Sequence, residues 1–181
     1  MGHDSIELLQ EQGNTLMDAI IRPARLDDAQ ALHRHCYPEY DFDDVREYLA
    51  WCLRQADKGW IVRLVAEVDG QAVGNAQLTL WGQNGEIGSL VVAPDYRRRG
   101  LARQLLTALI NEADGRGLEA LEISADECTP SIIAFYQRLG FDRVEGTEET
   151  RIIRGDKKSG LFHPDRPDLT VLLRMQRCGG R

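Results

Sequence analysis

Three consecutive arginines followed by a glycine are the residues of this sequence best suited to hold an anion. Arg97, Arg98, Arg99 and Gly100 sit in the middle of segment 86–106, which reads E-I-G-S-L-V-V-A-P-D-Y-R-R-R-G-L-A-R-Q-L-L. An apolar stretch enters this basic turn. An amphipathic stretch leaves it, with Leu101, Leu105, Leu106, Leu109 and Ile110 at helical spacing. The start of a helix carries unpaired N–H groups and partial positive charge. Gly100 lets a ligand approach the backbone closely, and Arg97, Arg98, Arg99 and Arg103 add formal charge. Such a turn suits a pyrophosphate. It is not a Walker A loop, and it has one glycine where a dinucleotide fingerprint needs three. The competing reading is a solvated basic turn before a surface helix. Three adjacent arginines in a chain of net charge -7 weigh against it.

Other chemistry-bearing residues are sparser. Segment 129–141, T-P-S-I-I-A-F-Y-Q-R-L-G-F, reads as a helix capped by Thr129 with Pro130 at its first position. Ile132, Ile133, Phe135, Tyr136 and Leu139 form its apolar face, so Tyr136 taken alone reads as packing. Cys36, Cys52, Cys128 and Cys178 form no C-x-x-C pair and have no zinc-ligand spacing, which suits reduced thiols. His33 and His35 lack a third ligand, so no metal site is expected. Ser89 and Cys128 have no evident base partner, which argues against a covalent enzyme intermediate.

The elements that must position these residues alternate between strand and helix. A strand at 19–23 leads to a helix opening at Leu26-Asp27-Asp28, with Asp27 or Asp28 as N-cap. A second helix covers 43–56. Strands follow at 61–68, 72–81 and 86–93, with turns at Asp69-Gly70 and Asn84-Gly85. A helix covers 100–113, closed by Gly115 and Gly117. A strand at 118–125, the helix ending at Gly140, and strands at 141–146 and 169–175 complete the chain. Early hairpins and a late strand–helix–strand crossover predict an α/β (α+β) fold. Its mixed, mostly antiparallel sheet has six to seven strands, with helices on both faces. A ligand cleft is expected where the meander gives way to the parallel pair. Residues 1–18 read as a tail and 19–181 as one domain.

The 181 residues, 43% hydrophobic and 28% charged, suit one globular core. The negative net charge argues against nucleic-acid and anionic-membrane partners. With no apolar run of membrane-spanning length and no secretory signal at the N-terminus, a cytoplasmic location is expected. Asp41, Asp43, Asp44 and Glu47 read either as a solvated face or as a surface for a cationic amine. With the helices in 26–56, the loop carrying His163, Asp165, Arg166 and Asp168 is expected to set substrate choice. Trp51, Trp60 and Trp81 are expected in the core or at an interface.

Two motifs give the chain a family resemblance. Arg97-Arg98-Arg99-Gly100-Leu101-Ala102 matches the [QR]-x-x-G-x-[GA] acetyl-CoA motif of the GNAT superfamily. Segment 129–141 resembles that family's N-x-x-A-x-x-F-Y-x-x-x-G-F motif, with Phe135, Tyr136, Gly140 and Phe141 in register. The similarity runs from about residue 20 to 175. Departures are Ala102, an accepted variant of Gly, Ile132 for Ala, and Thr129 for Asn. The resemblance implies a GNAT-like fold and an N-acetyltransferase. Acetyl-CoA would be co-substrate, no metal would be needed, and the acetyl group would pass directly to a primary amine of a small molecule or protein. It implies pyrophosphate binding across Arg97, Arg98, Arg99, Gly100, Leu101, Ala102 and Arg103, with amides of 98–103 as donors. Leu90, Val91 and Val92 would pair with the pantetheine arm, and Thr129 would offer a polar cofactor contact.

Tyr136 takes the position of the family's general acid. The base it implies is Glu86, four residues before Leu90 and so on the same strand face. A solvent-facing Glu86 is the competing reading, with Glu122 and Asp126 as weaker alternatives. Val92 N–H would stabilise charge on the thioester oxygen. A homodimer is a further expectation by fold analogy. The second reading is a non-catalytic acyl-CoA-binding regulatory module of the same fold, against which Tyr136 speaks. A nucleotide-phosphate enzyme is a third, against which the missing Walker lysine speaks.

Overall fold

The computed structural model describes residues 18–126, 129–144 and 170–176. The calls on the tail at 1–17, on Cys128, Cys178 and the loop through Asp168 lie outside them. Strand β1 (Ile20–Pro23) leads through a 3-10 turn (Leu26–Asp28) into helix α1 (Ala29–Cys36) and helix α2 (Phe42–Asp57). Strands β2 (Ile61–Val68), β3 (Gln71–Trp81) and β4 (Asn84–Val92) form the meander. Helix α3 (Leu101–Gly115), strand β5 (Ala120–Asp126), helix α4 (Pro130–Gln137) and strands β6 (Asp142–Arg143) and β7 (Thr170–Gln176) follow. They build one seven-stranded sheet in the order β1-β2-β3-β4-β5-β7-β6. Among the described residues, only β4 and β5 pair in parallel, with α3 as their crossover.

Local chemistry explains the turns. Asp69 and Gly70 both take positive φ, 49° and 76°, as a two-residue hairpin loop requires. The expected turn at Asn84-Gly85 is corrected: Trp81 pairs with Asn84, so Gly82 and Gln83 make the loop. Gly85 is a glycine for packing. A methyl there would lie 2.6 Å from Leu78 and 2.9 Å from both Leu118 and Leu121. Helix α2 is capped by Asp41, whose carboxylate accepts from Asp43 N–H at 2.8 Å. Asp43 and Asp44 then sit in the first turn, where negative charge favours the helix. Helix α1 departs from expectation. Asp28 is its N-cap residue but makes no side-chain cap bond. Its carboxylate instead accepts from Arg25 N–H (2.7 Å) and from both Nη groups of Arg22 (2.9 and 2.7 Å).

The two sheet faces differ in chemistry. On one, Leu64, Ala76, Leu78, Ile87, Leu121, Ile123 and Leu173 form an apolar layer, joined by Leu101, Leu105, Leu106 and Leu109 of α3. On the other, beneath α1 and α2, Arg63, Asn75 and Gln77 are buried. Trp51, Trp60 and Trp81 are all exposed, which corrects the core placement. Trp51 stacks on Tyr48 with centroids 6.0 Å apart.

Candidate active site

The sheet opens between its two parallel strands. Pairing of β4 with β5 runs from Asn84 opposite Ala120 to Ile87 opposite Ile123, and stops. Strand β4 continues for five more residues with its other edge still on β3. The register on that side slips: Gln77 faces Gly88, yet Asn75 faces Val91. The slip is a β-bulge at Ser89-Leu90, which bends and twists the bulged strand. Ser89 adopts φ 49°, an uncommon conformation for a residue with a side chain. The bulge also overturns an expectation. Glu86 and Leu90 do not keep a common phase; the extra residue gives Val91 the parity of Glu86.

Beyond the bulge, Ala93 N–H donates to Val73 at 2.8 Å. Backbone alternation therefore turns Val92 N–H away from β3, to the side that β5 has left. The carbonyl of Val92, on that same side, accepts from Arg97 Nε at 3.0 Å. The chain then passes Arg98 at φ 61° and Gly100 at φ 83° into α3. The first backbone bond of that helix is Gln104 N–H to Gly100 at 3.0 Å. Among the described residues, no backbone acceptor takes the N–H groups of 98–103. Arg97, Arg98, Arg99 and Arg103 are all exposed, with Arg99 lying over the ring of Tyr96 at 5.9 Å. Unbonded amides, a helix N-terminus and surface guanidinium groups meet at one corner, an arrangement that holds anions. A diphosphate fits it.

Tyr136 lies on α4, the helix following β5. It is buried, with Phe135 and Phe141 at 5.5 and 6.3 Å between ring centroids. Burial pushes its phenol up to about 12, so it keeps its proton through the neutral range. Thr129 is the N-cap residue of α4, but its side chain makes no cap bond, which corrects that expectation; its carbonyl accepts from Ile132 and Ile133 N–H at 3.0 and 3.2 Å. Glu86 is half-buried, in register with Thr79 on β3 and Glu122 on β5. Glu122 is bonded by Arg174, with Nε at 3.0 Å, which ties this weaker alternative into an ion pair. Gly88 shares the face of Glu86 by alternation, and a methyl there would meet nothing within 4 Å. The surface beside the divergence is therefore open.

Residues 26–141 match the model of the acetyltransferase (GNAT) family. The chain belongs to that family. An acetyltransferase of Pectobacterium atrosepticum is 33% identical over 82 residues, covering 45% of this chain and 58% of the relative. The chain thus spans little more than half the length of the curated relatives it matches. A solved structure of PaiA N-acetyltransferase from Thermoplasma acidophilum, in complex with coenzyme A, superposes with a TM-score of 0.68 at 14% identity. That match covers 89% of this chain and 100% of the other. Ribosomal-protein-alanine N-acetyltransferase from Brucella melitensis gives 0.63 at 24% identity, over 87% and 98%. The GNAT fold of this chain is therefore shared with both.

One polar cluster in this GNAT domain is absent from the sequence expectations. Arg63 is 4% exposed. It donates from Nη1 to Gln77 at 2.9 Å and from Nη2 to the carboxamide oxygen of Asn75. Asn75 and the Tyr37 hydroxyl are also bonded, at 2.8 Å. The ring of Tyr48 lies 5.4 Å from the Arg63 guanidinium. Burial pushes Tyr37 up to about 12. The signal was present as Arg63, Asn75 and Gln77 alternating with apolar residues in β2 and β3. Such alternation ordinarily marks a solvent face, and α1 and α2 cover it here. Among the described residues, no group of three or more His, Cys, Asp or Glu is placed to hold a metal, and no helix is long and apolar enough to cross a membrane.

Proposed function

We propose that this GNAT-family chain is an N-acetyltransferase that moves an acetyl group from acetyl-CoA directly to a primary amine of a small molecule or a protein. One observation carries the reading: among the described residues, the edge of β4 beyond Ile87 pairs with no strand and leads to the amides of 98–103, which no backbone acceptor takes. When bound, acetyl-CoA supplies an acetyl group activated as a thioester. The amides of 98–103 hold the diphosphate, with Arg98, Arg99 and Arg103 adding charge, while Arg97 braces the end of β4. Leu90, Val91 and Val92 offer main-chain pairing to the pantetheine arm, as in strand addition, and Thr129 offers it a polar contact. Val92 N–H faces the thioester oxygen and stabilises the charge that develops there. Tyr136 presents its hydroxyl to the leaving sulfur. Glu86 takes the proton an ammonium must lose before it attacks, and the open face above Gly88 admits the acceptor beside it. The coenzyme A complex of the Thermoplasma neighbour and the ribosomal-protein-alanine acceptor of the Brucella neighbour support this assignment of donor and acceptor class.

Calorimetric titration with coenzyme A, followed by a thiol-release screen over small amines and amino-terminal peptides, tests the reading. Saturable binding and turnover on at least one amine are expected. Binding without turnover on any amine points to the regulatory module instead. A chain that ignores coenzyme A in large excess ends the proposal.

A further inference from the structure

Trp81 ends β3 with 45% of its surface in water. An exposed tryptophan alone needs no explanation, but the register gives this one a place. Strands β3 and β4 pair without a slip from Trp81 opposite Asn84, through Thr79 opposite Glu86, to Gln77 opposite Gly88. Opposed residues share a sheet face, and every second residue along a strand returns to it. Trp81, Thr79 and Gln77 therefore stand on one face with Asn84, Glu86 and Gly88. Strand β5 extends that face, with Ala120 opposite Asn84 and Glu122 opposite Glu86. Trp81 is the diagonal neighbour of Glu86, about 7–8 Å away across the two strands, a span within reach of an aromatic side chain. The other face of these strands is closed, with Gly85, Ile87, Leu121 and Ile123 all buried. This face is half-open at Thr79, Glu86, Gly88 and Glu122.

Along β4 these residues have an order. Gly88 lies on the Val92 side of Glu86, and a methyl there would meet nothing within 4 Å. Trp81 flanks the other side, across from Asn84. An amine held at Glu86 turns its nitrogen toward Val92 and the thioester. Its carbon chain then leaves in the opposite sense, toward Trp81. Glu122, the second carboxylate in the row, is engaged by Arg174. A second cation on the acceptor would meet a neutralised pair there, whereas methylenes would meet an indole face that gains by leaving water. We infer that Trp81 is a specificity-determining residue whose indole takes the carbon chain of the acceptor, selecting a primary amine carried on an extended aliphatic chain. The inference rests on the N-acetyltransferase reading, with Glu86 on the amine side, and names the acceptor class.

Thiol-release kinetics over unbranched primary alkylamines, from ethylamine to octylamine, test this beside the wider amine and peptide screen. In the wild-type protein each methylene that reaches the indole is expected to raise kcat/KM about two- to fourfold. Trp81→Ala is expected to flatten that dependence on chain length, and Trp81→Phe to keep most of it. Trp60→Ala supplies the control. Trp60 is also exposed, but its carbonyl accepts from Leu80 N–H at 2.9 Å, and alternation puts its side chain on the opposite face. That variant is expected to keep the wild-type dependence. If wild type acetylates amines without regard to chain length, this inference fails alone, and that result needs no variant to fold. It fails alone as well if Trp81→Ala keeps the dependence, or if Trp60→Ala loses it equally. If wild type turns over no amine of any kind, the N-acetyltransferase reading fails and takes the inference with it.

Discussion

Tyr136→Phe deletes one oxygen and leaves the ring, so it isolates what the hydroxyl does. Burial pushes the phenol up to about 12, whereas an ordinary thiol titrates near ~8.5. Complete proton transfer from such a phenol to a departing thiolate is uphill by about 3.5 pKa units, or about 5 kcal/mol. A hydrogen bond from the phenol to the developing thiolate needs no such transfer and contributes about 1.5–3 kcal/mol. The second effect wins. The hydroxyl is expected to keep its proton while the carbon–sulfur bond breaks, and solvent protonates the thiolate afterwards. Its loss should lower kcat about 10- to 150-fold. KM for acetyl-CoA should barely move, because the thioester sulfur is uncharged before reaction. Stability should change little as well. The Tyr136 hydroxyl has no hydrogen-bond partner among the described residues, so its removal orphans no group. Thiol-release kinetics and a thermal melt on the same preparations decide the matter. A kcat within twofold of wild type removes Tyr136 from the chemistry. A loss beyond about ten-thousandfold at unchanged Tm would show full proton transfer and refute the energetic comparison.

The anion corner predicts that Gly100→Ala, which puts a side chain at φ 83°, costs about 1–2 kcal/mol of stability. It should also weaken coenzyme A binding at least tenfold; an unchanged dissociation constant by calorimetry contradicts it. Glu86→Gln should slow transfer about a hundredfold near neutral pH. That loss should shrink as pH approaches the pKa of the amine, so a pH-independent loss would exclude Glu86 as the base. Tyr37 and Tyr136, both raised by burial to about 12 from an ordinary value near ~10, set an alkaline limit. Below pH ~10 both states keep these protons and the contribution is complete; between pH ~10 and ~12 the unfolded chain ionises first, and each tyrosine loses up to about 2–3 kcal/mol. Thermal melts across that range should fall steeply, and less steeply in Tyr136→Phe.

Much of this was legible in the sequence because it depends on local chemistry. The helical spacing of Leu101, Leu105, Leu106 and Leu109 identified α3, and Arg97 to Gly100 identified its basic entry. Asp69-Gly70 identified a hairpin because its loop demands positive φ. Features set by distant partners were not legible. Asn84-Gly85 has the composition of a turn, yet Gly85 is small because Leu78, Leu118 and Leu121 converge on it. The bulge at Ser89-Leu90 has no local signature, since its register is fixed only by pairing with β3. The burial of Arg63, Asn75 and Gln77 was not legible, because nothing in their own strands says that α1 and α2 cover them. Asp28 has the residue type of an N-cap, but Arg22 six residues away claims its carboxylate.

The opening of the sheet follows from how its two halves are satisfied. Strand β4 is held by β3 on one side before and after the bulge. Strand β5 is held by β7 along its whole length, from Ala120 to Asp126. Each strand therefore keeps a full ladder on its outer edge and loses nothing there when the inner edges part. What parts them is the bulge, since an extra residue increases local twist and turns β4 away from its parallel neighbour. An inner edge left in this way carries backbone donors and acceptors that must bond to something. Arg97 takes one carbonyl; an extended polar ligand would take the rest, and its charged end would meet the amides of 98–103. The same residue that slips the register thus also makes the slot. A deletion of Leu90 that restored the regular ladder should therefore close the slot while preserving the seven-stranded sheet. Coenzyme A affinity would vanish with the folded state intact by circular dichroism. Retained affinity in that variant would show that the bulge is incidental to the cleft.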